Sequence, residues 1–84
     1  MNGIEISPHA RQQMAERGAD EEEVLAAIQL GESEPVRKGR MMYRKNFPFK
    51  GRWRGRRYRI KQVAPVVARA DHEQVVVTVY AFYF

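Results

Sequence analysis

Between Pro35 and Arg69 the chain carries thirteen lysines and arginines and not one acid, and this run limits the possible folds more than any other feature. Like charges packed so closely repel one another and cannot enter a core unpaired. The segment must therefore present its cations to solvent or to a partner. From Pro35 onward apolar and polar positions alternate, punctuated by Gly39, Gly51 and Gly55, which is the pattern of strands rather than helices. Strands are expected around Val36 to Phe47, Arg56 to Ala68 and Gln74 to Tyr83. In the second, Tyr58, Ile60 and Gln62 oppose Arg57, Arg59 and Lys61, and Pro65, unable to donate to a ladder, marks a bulge or an edge. Asp71-His72-Glu73 is the turn into the third strand. There Val75, Val77 and Val79 face one way and Val76, Thr78 and Tyr80 the other, so the strand is apolar on both faces and is expected to be central.

The first thirty-four residues have the opposite character, with eight acids against Arg11 and Arg17, a net charge of −6. Their signals are helical. Ser7 is a good N-cap and Pro8 suits the first helical position, so His9 to Arg17 reads as a helix stopped by Gly18. Ala10 and Met14 share its apolar side, and His9, Gln13 and Arg17 form a polar stripe. Asp20 caps a second helix whose first turn holds Glu21, Glu22 and Glu23, where the helix dipole favours negative charge. Val24, Leu25 and Ile28 are its expected buried stripe, and Leu30-Gly31 its end. Ile4 and Ile6 make a short extended lead-in. The expected fold is α+β, with two N-terminal helices packed on a three- to four-stranded antiparallel β-sheet. It is a single domain over residues 1–84, helical over 1–32 and sheet over 35–84, with the Arg-rich segment at 37–61.

Several function classes find no support. The chain has no cysteine, hence no disulfide framework or thiolate metal site. His9 and His72 lie far apart, and the carboxylates cluster at a helix start, which is not metal-ligand spacing. The glycines match no nucleotide-binding fingerprint. The longest apolar run, Val75 to Phe84, is too short and too interrupted to cross a bilayer as a helix, and no signal pattern opens the chain. No metal, cofactor or membrane partner is expected, and the cytoplasm is the expected location.

What remains is a polyanion, with RNA the expected ligand. Phosphate backbones neutralise such a block by releasing condensed cations. Arg44, Lys50, Arg52, Trp53, Arg54, Arg56, Arg57, Arg59 and Lys61 are the expected nucleic-acid-binding residues, converging with the rest of the thirteen on one surface of the sheet. Trp53 reads equally well as a stacking ring for bases or as a packing residue. Tyr58 and Phe47 read as core. Cleaving RNA without a metal needs an acid, a base and cations for the phosphorane charge. His9 would serve as acid or base, Arg17 would stand on the same helical stripe, and Tyr80 would donate or orient. His72 reads as a solvated turn residue. Two alternatives use the same surface: a non-catalytic nucleic-acid-binding module, and a basic domain that docks an acidic protein partner such as an antitoxin tail; a homodimer is left open beside them.

Ser7-Pro8-His9-Ala10, Met14-Ala15-Glu16-Arg17-Gly18, Glu23-Val24, Ala27-Ile28, Gly31-Glu32 and the closing Val77-Thr78-Val79-Tyr80 resemble the two ends of domain-of-unknown-function family 4258. The resemblance implies a helical N-terminus on an antiparallel sheet, similar to the small barnase/RelE-like ribonuclease toxins of bacterial toxin-antitoxin pairs. The family brings no settled catalytic mechanism with it; the leading expectation from the residues is a toxin-like, metal-independent endoribonuclease. His9 and Arg17 match that family's HA and RG motif residues, and Thr78 and Tyr80 match its terminal strand motif. The Arg-dense middle departs from the family's more neutral pattern.

Overall fold

The N-terminal boundaries follow the capping chemistry. In the computed structural model, which describes residues 3–84, α1 spans Pro8–Arg17 and α2 spans Glu21–Leu30. The Ser7 hydroxyl accepts a hydrogen bond from the Ala10 amide at 3.1 Å, satisfying one orphan donor of α1. Asp20 and Glu23 form a reciprocal capping box at the start of α2, with distances of 2.8 and 3.0 Å. Gly18 ends α1 in the left-handed region at φ 77°, where a side chain is strained. Gly31 ends α2 differently. Its φ of −82° is ordinary; a side chain is excluded there because the Arg44 carbonyl lies where a Cβ would stand.

Five strands follow the order β1-β5-β4-β3-β2, with β1 at Ile4–Ile6, β2 at Glu32–Val36, β3 at Arg40–Trp53, β4 at Arg56–Ala70 and β5 at Glu73–Tyr83. The architecture is the α+β arrangement expected, but the sheet has five strands and is mixed. β1 runs parallel to β5, and the other pairs are antiparallel. The extra strand is β2, whose Glu-Ser-Glu-Pro sequence has little strand propensity and is held by its ladder to Arg40–Arg44 and by the Glu34–Arg44 ion pair. A short 3₁₀ turn, Arg37–Gly39, separates it from β3.

Two expectations about the strands change. The central strand is β4, while β5 lies second, between β1 and β4. Pro65 is therefore not at an edge; it is fully buried in the middle of the sheet. A bulge lies one step away, where the β4–β5 register shifts between Val66 and Val67. The extra residue, Val77, resets the alternation of β5, so Val76 and Val79, expected on opposite faces, are both buried in the core against the helices.

Both helices pack on one face of the sheet. Ala10, Met14, Ala19, Val24, Val63, Val67, Val76 and Val79 form the core there, with Ile28, Tyr43 and Phe47 packed against it. In α2 the buried positions are Val24 and Ala27, with Leu25 only partly covered. α1 also caps the part of the β5 edge that β1 does not reach. Gln13 accepts from the Val79 amide at 2.9 Å, and Arg17 donates to the Val79 carbonyl at 2.7 Å, so two side chains take the place of a strand.

Gly18 carries the tightest constraint, since a Cβ there would stand 2.7 Å from both the Trp53 ring and the Tyr83 hydroxyl oxygen. G18A should lower the unfolding free energy by roughly 2 kcal/mol or more, the left-handed strain adding to the overlap. Urea denaturation followed by Trp53 fluorescence measures this; an unchanged midpoint would contradict the packing described.

Candidate nucleic-acid interface

The long hairpin of β3 and β4 carries most of the cations, and two bulges decide where they point. The ladder slips between Pro48 and Gly51, where Lys50 takes φ 47°. On the other edge of β4, Arg59 and Ile60 both donate to the Phe84 carbonyl, at 2.7 and 3.1 Å. The expected alternation of Tyr58, Ile60 and Gln62 against Arg57, Arg59 and Lys61 therefore breaks. Tyr58 swings to the helix side, 5.6 Å from Tyr83, while Arg59 and Ile60 share the opposite, open side. The hairpin closes through Arg54 and Gly55, with φ 52° and 84°, the left-handed pair whose twist suits adjoining strands.

On the helix side, Trp53 stacks on Tyr83 at 5.0 Å and 13°, Phe49 meets Tyr83 edge-on at 5.2 Å, and the Arg54 guanidinium lies 5.3 Å from the Trp53 ring centroid. Of its two readings, Trp53 is thus placed as a packing residue. The same cluster holds Lys61. Its ammonium lies 2.8 Å from both the Glu23 carboxylate and the Gly18 carbonyl, and the residue is 7% exposed. Lys61 is committed to the fold. Arg54 donates to the Glu16 carbonyl at 3.1 Å, and Arg44 pairs with Glu34 of β2.

The thirteen cations accordingly do not converge on one surface. Arg37, Lys38, Arg40 and Arg69 stand at the end of the sheet remote from the hairpin turn, because β4 spans fifteen residues in a molecule 42 Å long. At the hairpin end, Lys50, Arg52, Arg57 and Arg59 line one open depression with Gly51 and Tyr58. No carboxylate lines it, and none of these four makes an ion pair among the described residues. Arg56 is exposed but does not line the depression; it pairs with Trp53 across the hairpin and so takes the helix side.

A second feature went unnoticed in the sequence. On the open face, Tyr80, Phe82 and Phe84 are 37%, 46% and 61% exposed. The only signal was their alternate spacing, which reads equally well as core.

The three candidate catalytic residues are partly brought together. The Arg17 guanidinium lies 5.1 Å from the Tyr80 ring centroid while holding the Val79 carbonyl. His9 is exposed near the other end of α1, about 12 Å away along the helix axis. His72 is exposed in the β4–β5 turn. Among the described residues no group of three His, Asp or Glu side chains gathers as a metal would require. The Tyr83 hydroxyl donates to the Arg17 carbonyl at 2.6 Å, and burial, reinforced by the Glu23 charge and opposed by Arg54, raises its pKa above the usual 10.0.

Two outcomes follow. K61A should destabilise the fold by about 3 kcal/mol by stranding the shielded Glu23 carboxylate, whereas the K61M/E23L pair should recover much of that in chemical denaturation. A raised tyrosine pKa adds stability that is present below the unfolded value and lost as pH rises through the folded one. Unfolding free energy should therefore fall above roughly pH 10, and Y83F should flatten that fall.

No curated protein and no solved structure matches the chain. The family described as Domain of unknown function (DUF4258) matches across residues 6–81, a span from β1 through nearly all of β5 that includes the basic hairpin and both helices. By that match the chain belongs to the DUF4258 family.

Proposed function

We propose that this domain binds RNA, with the end of the β3–β4 hairpin as its phosphate contact. The observation that carries this reading is the depression lined by Lys50, Arg52, Arg57 and Arg59 without a carboxylate. Cations held side by side with no internal counter-charge store repulsion, and a phosphate backbone relieves it while releasing condensed counterions. Groove reading by a helix fits poorly, because α2 opens with Glu21, Glu22 and Glu23 and packs on the other face. A basic sheet suits RNA, whose recognition relies on phosphates, shape and exposed bases.

A second reading adds cleavage, as a toxin-type, metal-independent endoribonuclease. The contact between Arg17 and Tyr80 favours it, since a cation beside a phenol could serve a phosphorane. His9 would have to be reached by the substrate from the far end of α1. An acidic antitoxin docking on the hairpin and a cytoplasmic setting belong to this same reading.

Fluorescence anisotropy with a labelled RNA across a salt series tests the first reading. R57A/R59A should weaken binding and flatten the log-affinity against log-salt slope by roughly 0.7 for each cation removed. R11A, paired with Glu21 on the helices, should change neither. Equal affinity and slope for R57A/R59A and the unaltered protein would sink the proposal. Incubation with total RNA in the presence of chelator reads the second: cleavage products lost in H9A support it.

A further inference from the structure

The open face is organised in rows across three strands. Asn46, Gln62 and Phe82 occupy one register level, and Pro48, Ile60 and Phe84 the next toward the hairpin. Gln62 donates to the Asn46 side-chain carbonyl at 2.9 Å, which leaves the Asn46 amide hydrogens and the Gln62 carbonyl to address a ligand. Both helices pack on the other side of the sheet, so neither covers Phe82 or Phe84; only the Arg17 guanidinium reaches round to the Tyr80 ring. The Tyr80 and Phe82 rings are nearly parallel, 17° apart, with centroids at 6.3 Å. Two adjoining depressions share Phe84: one is lined by Tyr80, Phe82 and Gln62, the other by Ile60, Lys50 and Arg59. The second in turn shares Lys50 and Arg59 with the cationic depression at the hairpin end. Aromatic rings, an amide pair and unpaired cations thus form one continuous surface.

We infer that this face is a stacking platform for the unpaired bases of single-stranded RNA, with Phe82 at its centre and the Asn46–Gln62 pair against a base edge. The inference rests on the RNA-binding reading and narrows it. A duplex keeps its base faces stacked inside and presents only backbone and groove edges, so it can use the cations but not the rings. A single strand lays its phosphates on Lys50 and Arg59 and turns its bases onto Phe84, Phe82 and Tyr80 in succession, and any base offers a face to stack. The amide pair supplies a donor and an acceptor side by side, the combination that recognises a base edge. A second copy of the chain is the poorer occupant, because each copy carries a net charge of +5 and cations border the apolar strip.

The test compares a labelled single-stranded RNA with a blunt duplex of the same sequence, at equal salt, by anisotropy. The single strand should bind at least tenfold more tightly. F82L, which keeps an apolar side chain but deletes the ring face at a half-exposed site, should cost roughly tenfold on the single strand and leave duplex binding unchanged. Q62A should alter the ranking of homopolymers more than their mean affinity. Equal or tighter duplex binding, or an F82L variant with unaltered single-strand affinity, overturns the inference while phosphate binding stands. So does a sedimentation result in which F82L dissociates a dimer and RNA affinity stays constant. If neither RNA form binds, the broader reading fails with it.

Discussion

The buried Lys61 ammonium is the point on which the fold depends. It reaches through the sheet's aromatic end to the Gly18 carbonyl and the Glu23 carboxylate, tying the α1–α2 junction to the central strand. Burying a lone ammonium costs several kcal/mol, and only a paired, hydrogen-bonded geometry offsets it. Glu23 uses one carboxylate oxygen in the α2 capping box and the other for Lys61, so helix initiation and helix docking are one event. Tyr83 and Trp53 close over the same glycine, and Tyr83 hydrogen-bonds the preceding carbonyl. Removing Lys61 strands the Glu23 carboxylate and the Gly18 carbonyl, and removing the Tyr83 hydroxyl takes the donor from the Arg17 carbonyl.

This joint divides the molecule in two. On its helix side, acids and cations pair, Glu23 with Lys61 and Glu21 with Arg11, and Arg54 donates a hydrogen bond to the Glu16 backbone carbonyl. On the open side, toward the hairpin tip, the cations have no such partners, and Phe82 and Phe84 stay half-exposed or more. A domain this small has limited surface to bury, and leaving Phe82 and Phe84 exposed forfeits stability that a second layer would supply. Exposed apolar strips bordered by charge are commonly binding surfaces.

The bulges bring the two sides into being. Without the slip at Phe49 and Lys50 and the doubled donation to Phe84, strict alternation would put Tyr58 with Ile60 on the open face and Arg59 with Lys61 against the helices. Instead Tyr58 joins the packing cluster and Arg59 joins the cationic depression. A third bulge, at Val77, puts Val76 and Val79 into one core. Each moves side chains by one face, which a period-two reading of the sequence cannot register.

The sequence alone determined the helices and their ends, because Ser7, Pro8, Gly18, Asp20 and Glu23 act through contacts three or four residues away. It determined the sheet region too, through alternation and glycine spacing, and it announced the unbalanced charge. It left β2 unseen, since that strand exists only by pairing with Arg40–Arg44. Only the tertiary structure decided which cations are consumed and which remain. Lys61 and Arg57 are indistinguishable in a list of basic residues; one faces a carboxylate that folding brings from thirty-eight positions away, and the other faces solvent. The same holds for the rings, Trp53 packed and Phe82 exposed, because burial is set by which face each strand position takes, and that follows from bulges and helix placement that no local signal encodes.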